Sequence, residues 1–170
     1  MFLFSYSRMQ TLLPVIDPSQ AIHPALPDFL RNRYGSGNVK CAVTDLRDVG
    51  KFVARIIADD RTLNRYVFCW SEEVTQNEAF ALAEHVSGRK FEIVDISADE
   101  VISKAKDASD PIARAMYQYA NSMWLRGDNT VENAKKPEYG GALDARELYP
   151  DIGNELGSLE NYAKELYKSR

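Results

Sequence analysis

The chain has 170 residues, enough for one domain with a real hydrophobic core, so a single domain is the default reading. Its formal net charge of −4 comes from interspersed acidic and basic residues, with no basic block to mark a nucleic-acid footprint. The opening Met1-Phe2-Leu3-Phe4 is apolar but lacks a basic flank and breaks at Ser5, Ser7 and Arg8, so it makes a poor leader and far too short a membrane span; the chain reads as cytoplasmic.

Residues 1–34 carry Pro14, Pro18, Pro24 and Pro27 among scattered apolar residues and have little determinate pattern; only Leu26 to Arg33 reads as a short helical turn. The organised region is 35–170. Gly35-Ser36-Gly37-Asn38 is a turn, because Gly and Asn tolerate positive φ. Val39, Cys41 and Val43 alternate with Lys40 and Ala42, the period of a strand with one face more buried than the other. Thr44 or Asp45 caps the following helix, in which Val49, Phe52, Val53, Ile56 and Ile57 form one apolar stripe. Tyr66 to Trp70 is continuously apolar, as a strand covered on both faces is. Cys41 and Cys69 both fall in strand-like runs and read as buried, reduced thiols.

Two capping signatures follow. Thr75-Gln76-Asn77-Glu78 opens a helix with Ala79, Leu82, Ala83 and Val86 inward, closed by Gly88 in a left-handed conformation. Phe91, Ile93, Val94 and Ile96 make a strand, and Ser97-Ala98-Asp99-Glu100 caps the next helix. Ser109-Asp110-Pro111 starts a further helix with Ile112, Ala115, Met116 and Tyr119 as its stripe. After a loop-rich stretch from Trp124 to Pro150, Ser158 caps a terminal helix with Leu159, Tyr162, Ala163, Leu166 and Tyr167 inward.

The residues offer little chemistry of their own. A phosphate cradle needs a strand before its glycines and a helix after them; Gly35-Ser36-Gly37 precedes a strand and lacks a third glycine. None of the nine tyrosines has a lysine four residues on, so the Tyr-x-x-x-Lys acid/base couple is missing. His23 and His85 are widely separated with no ligand-spaced partner, so neither a metal site nor a Ser/His/Asp triad can be built. The densest polar constellation is Trp124-Leu125-Arg126-Gly127-Asp128-Asn129-Thr130. Trp124, Arg126, Asp128 and Asn129 are therefore the candidates for a substrate-side pocket wall. The competing reading makes Asp128, Asn129 or Thr130 a helix cap and Arg126 a loop tie.

Six collinear motifs carry a resemblance: Thr44 to Gly50, Arg61-Thr62-Leu63-Asn64, Thr75 to Glu78, Ser87-Gly88, Arg126 to Thr130, and Glu147-Leu148-Tyr149-Pro150-Asp151. In this order they resemble the isoflavone reductase-like branch of the NmrA-like family of atypical short-chain dehydrogenase/reductases, over about four-fifths of the chain. Asp60 and Val131 stand where many relatives have proline, and Lys136 to Gly141 interrupts a run that is usually shorter. The resemblance implies an α/β fold: the C-terminal part of a Rossmann-type NAD(P)-binding fold plus the mainly helical substrate-side domain. It implies NADP or NAD as cofactor and a small-molecule substrate. The dinucleotide-binding loop and the family's active-site lysine lie upstream of the matching region, so no catalytic or cofactor-binding residue is assigned here, and the isolated chain is expected not to transfer hydride. If the parallel strands beside Tyr66–Trp70 are missing, a sheet edge stays open and self-association through it is expected. The alternative function is a non-enzymatic NmrA-like regulatory or sensor module.

Overall fold

The computed structural model describes residues 2–4, 7–8, 12–16 and 26–168. Pro18, His23 and Pro24 lie outside the described residues. In chain order the strands are β1 (Phe2–Phe4), β2 (Ser7–Arg8), β3 (Asn32–Tyr34), β4 (Cys41–Thr44), β5 (Val67–Cys69), β6 (Glu72–Val74), β7 (Val94–Ile96) and β8 (Leu143–Asp144). The α-helices are α1 (Leu26–Arg31), α2 (Val49–Ile56), α3 (Gln76–Ser87), α4 (Ala98–Asp107), α5 (Pro111–Ala120), α6 (Val131–Ala134), α7 (Ala145–Leu148) and α8 (Leu159–Lys168). A π-helical turn, Asn121–Arg126, extends α5.

The strands form three small sheets. In the first, β5 is the middle strand, parallel to β1 on one side and to β8 on the other, with Phe2 opposite Val67 and Val67 opposite Leu143. The expectation of missing neighbours beside the Tyr66–Trp70 strand is therefore corrected: both edges of β5 are paired. Residues 2–4 and 143–144 supply the neighbours, in runs too short to carry a readable period. In the second sheet β4 lies between parallel β2 and antiparallel β6; in the third, β3 and β7 pair in parallel.

Both central strands are covered on two faces. Val67 and Cys69 of β5 pack with Phe52 and Ile56 of α2 and with Ala145, Tyr149 and Ile152. Phe68 points the other way, among Ala42, Ala134 and Ala142. In β4, Cys41 and Val43 belong to the large helical-side core while Ala42 joins the cluster around Phe68, so all four residues are buried. The expectation of one face more buried than the other is corrected over these four residues, because the small Ala42 is covered by Phe68 and Ala134.

The helix ends follow local chemistry. Thr75 and Glu78 complete a reciprocal capping box, and Gly88 closes α3 at φ +66°. Ser97 caps α4 through the Glu100 N–H, and Asp110 caps α5 ahead of Pro111. Two stripes differ from expectation. The α2 helix stops at Ile56, which turns Ile57 out to 70% exposure, and on α5 Ile112 and Tyr119 are about half exposed because α4 covers the opposite side. The terminal helix α8 packs on α3, with Leu159, Ala163 and Tyr167 buried as expected.

The charged residues at the start of α2 are ties. Asp45 caps the Arg47 N–H at 2.9 Å and holds the Arg47 guanidinium, which reaches on to Glu165 of α8 at 2.7 Å. Asp48, almost wholly buried, accepts from Lys51 at 2.8 Å, from the Ser71 hydroxyl at 3.1 Å and from the Gly157 N–H at 2.8 Å. One turn of chain is thereby fastened to β6's approach and to the start of α8.

Cys41 and Cys69 are buried thiols outside any disulfide. Burial pushes the Cys69 thiol up to about 12 from an ordinary 9.0, and Tyr149 goes to about 12 from 10.0, through burial first and its hydrogen bond to Asp59 second. The native state therefore keeps protons that the unfolded chain releases above pH 9.0, and stability is lost as pH climbs from there toward about 12. Urea midpoints measured across that range should decline steadily; a flat profile would contradict this account.

Candidate functional site

The described surface has two adjoining hollows where α1 and β3 meet α4 and α5. The smaller, about 180 Å³, is walled by Phe29, Ala113, Met116 and Tyr117; the larger, about 370 Å³, opens toward Val94, Ile96 and Lys104. Asp28, Asn32 and Tyr117 border both.

The floor is built from β3. Tyr34 is fully buried, tilted against Phe29 at 5.2 Å between ring centroids and edge-on to Tyr117 at 6.3 Å. Its hydroxyl donates to the Phe29 carbonyl at 3.3 Å and accepts from the Asn32 amide at 3.3 Å. Burial holds this phenol well above the ordinary tyrosine range, so it stays protonated and acts as a fixed strut. The first residue of α3 completes the floor: the Gln76 carboxamide accepts from the Tyr34 N–H at 2.9 Å and donates to the Asn32 carbonyl at 3.0 Å, bonding as a neighbouring strand does.

The wall is held by charge. Lys104 pairs with Glu100 at 2.7 Å, donates to the Tyr117 hydroxyl at 3.2 Å and sits 5.0 Å from that ring's centroid. Glu100 first and Tyr117 second raise the Lys104 pKa, so the lysine remains a cation. At the rim Arg31 pairs with Asp28 at 2.8 Å. Rings, a thioether and a few polar atoms are suited to holding a small molecule. Among the described residues no group of three His, Cys, Asp or Glu could hold a metal ion.

The sequence candidates Trp124, Arg126, Asp128 and Asn129 line neither hollow. Trp124 is 3% exposed inside the large core. Asp128 accepts from Arg126 at 2.8 Å, from Ser122 at 2.9 Å and from Tyr139 at 2.9 Å; burial works to raise its pKa, and these bonds outweigh burial and hold it below the usual carboxylate range. Asn129 is docked on β4: its amide donates to the Ala42 carbonyl at 2.8 Å and its own carbonyl accepts from the Ala42 N–H at 2.7 Å. Thr130 caps α6, as the competing reading had it. Sequence reasoning missed Phe29, Asn32, Lys104 and Tyr117. Only the α5 stripe through Met116 pointed toward the place.

The Gly35–Gly37 turn does not fit a dinucleotide. Both glycines have positive φ, but a side-chain carbon added at Gly35 would lie 2.6 Å from Leu125 and one at Gly37 2.7 Å from Arg33 and Asn77, so the space above them is filled by protein. No helix starts after them; the chain runs on into β4.

Compared with models of known protein families, the chain matches none. It is 34% identical over 141 residues to asnovolin J 5',6'-dehydrogenase of Aspergillus novofumigatus, an overlap of 76% of this chain and 42% of that protein. With the isoflavone reductase of Medicago sativa it shares 33% identity over 120 residues, 69% of this chain and 36% of the relative. A crystal structure of isoflavone reductase superposes with a TM-score of 0.67 at 29% identity, over 79% of this chain and 42% of the other.

The relatives of this chain are isoflavone reductase-like proteins.

The chain spans about two fifths of the length of the curated relatives it matches. Leucoanthocyanidin reductase of Vitis vinifera, solved with NADPH, superposes over 98% of the chain and 53% of its own length with a TM-score of 0.74; at 21% identity this likeness speaks to the fold. The fold is accordingly the C-terminal part of a Rossmann-type architecture with its mainly helical substrate-side domain. Another neighbour in fold, with a TM-score of 0.63, is solved with NADP+ and (+)-pinoresinol. No helix among the described residues is long and apolar enough to cross a membrane.

Proposed function

We propose that this chain is the substrate-side portion of an NAD(P)H-dependent reductase of the isoflavone reductase-like type, with the hollows beside α5 holding a small-molecule substrate. The observation that carries this reading is the similarity of the chain, over 69% to 76% of its residues, to a dehydrogenase and a reductase. The family implies a dinucleotide, and the Gly35–Gly37 turn does not fit one, so in this reading hydride comes from a cofactor held by other residues. The residues around the hollow bind and orient. Trp124, Arg126, Asp128 and Asn129 serve as ties that hold the wall's supporting loop.

The test is an NADPH titration of the purified 170-residue chain, followed by cofactor fluorescence, with substrates of the isoflavone reductase type present. No saturable enhancement and no NADPH oxidation are expected. Saturable binding with turnover would overturn the reading of this chain as a substrate-side portion inactive alone.

A further inference from the structure

Asn32 is 9% exposed and sits in a strand, where β-branched or aromatic residues are the usual occupants. Its backbone carbonyl is taken by Gln76, and one amide hydrogen goes to the Tyr34 hydroxyl. The Tyr34 hydroxyl spends its own hydrogen on Phe29. Among the described residues the Asn32 side-chain oxygen accepts no hydrogen bond and the second amide hydrogen is donated to nothing. A buried polar group left in that state costs about 1–3 kcal/mol. A valine at this position would avoid the cost. A ligand in the hollow that completed both bonds would recover it.

The surroundings narrow what that ligand is. Phe29, Met116 and Tyr117 line the smaller hollow with apolar surface. The charged residues on the larger hollow are Asp28 and Glu92 against Arg31 and Lys104, which balance, and Arg31 and Lys104 are already paired, with Asp28 and Glu100. Such a lining does not favour an ion. A carboxamide with one donor and one acceptor unengaged among the described residues is completed by a group carrying the same two functions side by side.

We propose that Asn32 is the specificity-determining residue of this hollow and pairs with a neutral, ring-bearing small molecule through a carboxamide or lactam edge. The assignment rests on the reading of the hollow as the substrate side.

Benzamide and acetophenone test it, because they share a ring and a carbonyl and differ in NH₂ against CH₃. In NMR titrations of the full chain, benzamide should bind at least about tenfold more tightly than acetophenone, a difference of about 1.4 kcal/mol. The Asn32 side-chain amide resonances should move with benzamide. In Asn32→Leu the affinity ratio should fall to about one. Equal affinities in the wild type, unmoved Asn32 resonances, absence of benzamide binding, or a ratio that survives Asn32→Leu would each overturn the proposal. The resonance shift is read on the wild type, so it decides even if the variant fails to fold. These titrations contain no dinucleotide. Turnover of NADPH by the chain alone would therefore overturn the preceding reading without touching this result, and loss of discrimination would overturn this proposal alone.

Discussion

Asp48→Ala is expected to lower the unfolding free energy by about 2–3 kcal/mol, the consequence of taking the acceptor from hydrogen-bond donors at a buried carboxylate. The carboxylate has three donors from three parts of the chain: Lys51 within α2, Ser71 just before β6 and the Gly157 N–H just before α8. Alanine deprives the Gly157 N–H and the Ser71 hydroxyl of the carboxylate that now accepts from both. Asp48→Asn keeps an acceptor for one or two of the donors and should lose less. Equilibrium urea denaturation of the three proteins decides the matter, and an alanine variant within about 1 kcal/mol of the wild type would mean that the network contributes nothing of the kind.

Phe52→Ala and Ile57→Ala form a second, contrasting pair. Both residues lie on the stripe that the sequence turns inward, but Phe52 is fully buried against Val67, Tyr149 and Ile152 whereas Ile57 stands past the end of the helix in solvent. Truncating Phe52 should cost about 3–5 kcal/mol, by lost burial and the cavity left behind. Truncating Ile57 should stay within about 0.5 kcal/mol. Thermal melts of the two variants should differ by several degrees at least. Equal losses would show that α2 continues a further turn and that Ile57 packs against the sheet.

That pair also marks where the sequence stops being readable. Helix starts were legible because their signals are local: Thr75 and Glu78, Ser97 and Glu100, and Asp110 before Pro111 each satisfy N–H groups within one turn of themselves. Periodicity identified α2 and α8 but not their ends or the amount of cover each face receives. Ile57, Ile112 and Tyr119 have the right spacing and yet are exposed. Strands of two to four residues, such as β1, β3 and β8, contain too few positions to show a period of two. The floor of the candidate site was invisible for a related reason. Asn32 is buried by α1, α3 and α5 converging on it, and nothing in its immediate neighbours reports that convergence.

The motif-rich loop shows the converse. Trp124 to Thr130 draws attention because it gathers unusual side chains, yet Arg126 and Asp128 neutralise one another and Asn129 is spent on Ala42. The polar residues of this loop are engaged with one another and with β4, and the candidate hollow is lined by Phe29, Met116, Tyr117 and Asn32.

The sheet through β5 joins strands from the beginning, the middle and the far end of the chain. Closing such distant loops must precede any reward from the pairing, so this sheet should be a late and slow event in folding, while the α4–α5 pair, local in sequence, can associate early. During biosynthesis β5 has to wait for β8, with Phe68 and Val67 uncovered in the interval. The period of greatest vulnerability to aggregation therefore belongs to the nascent protein, before the residues around Leu143 have emerged.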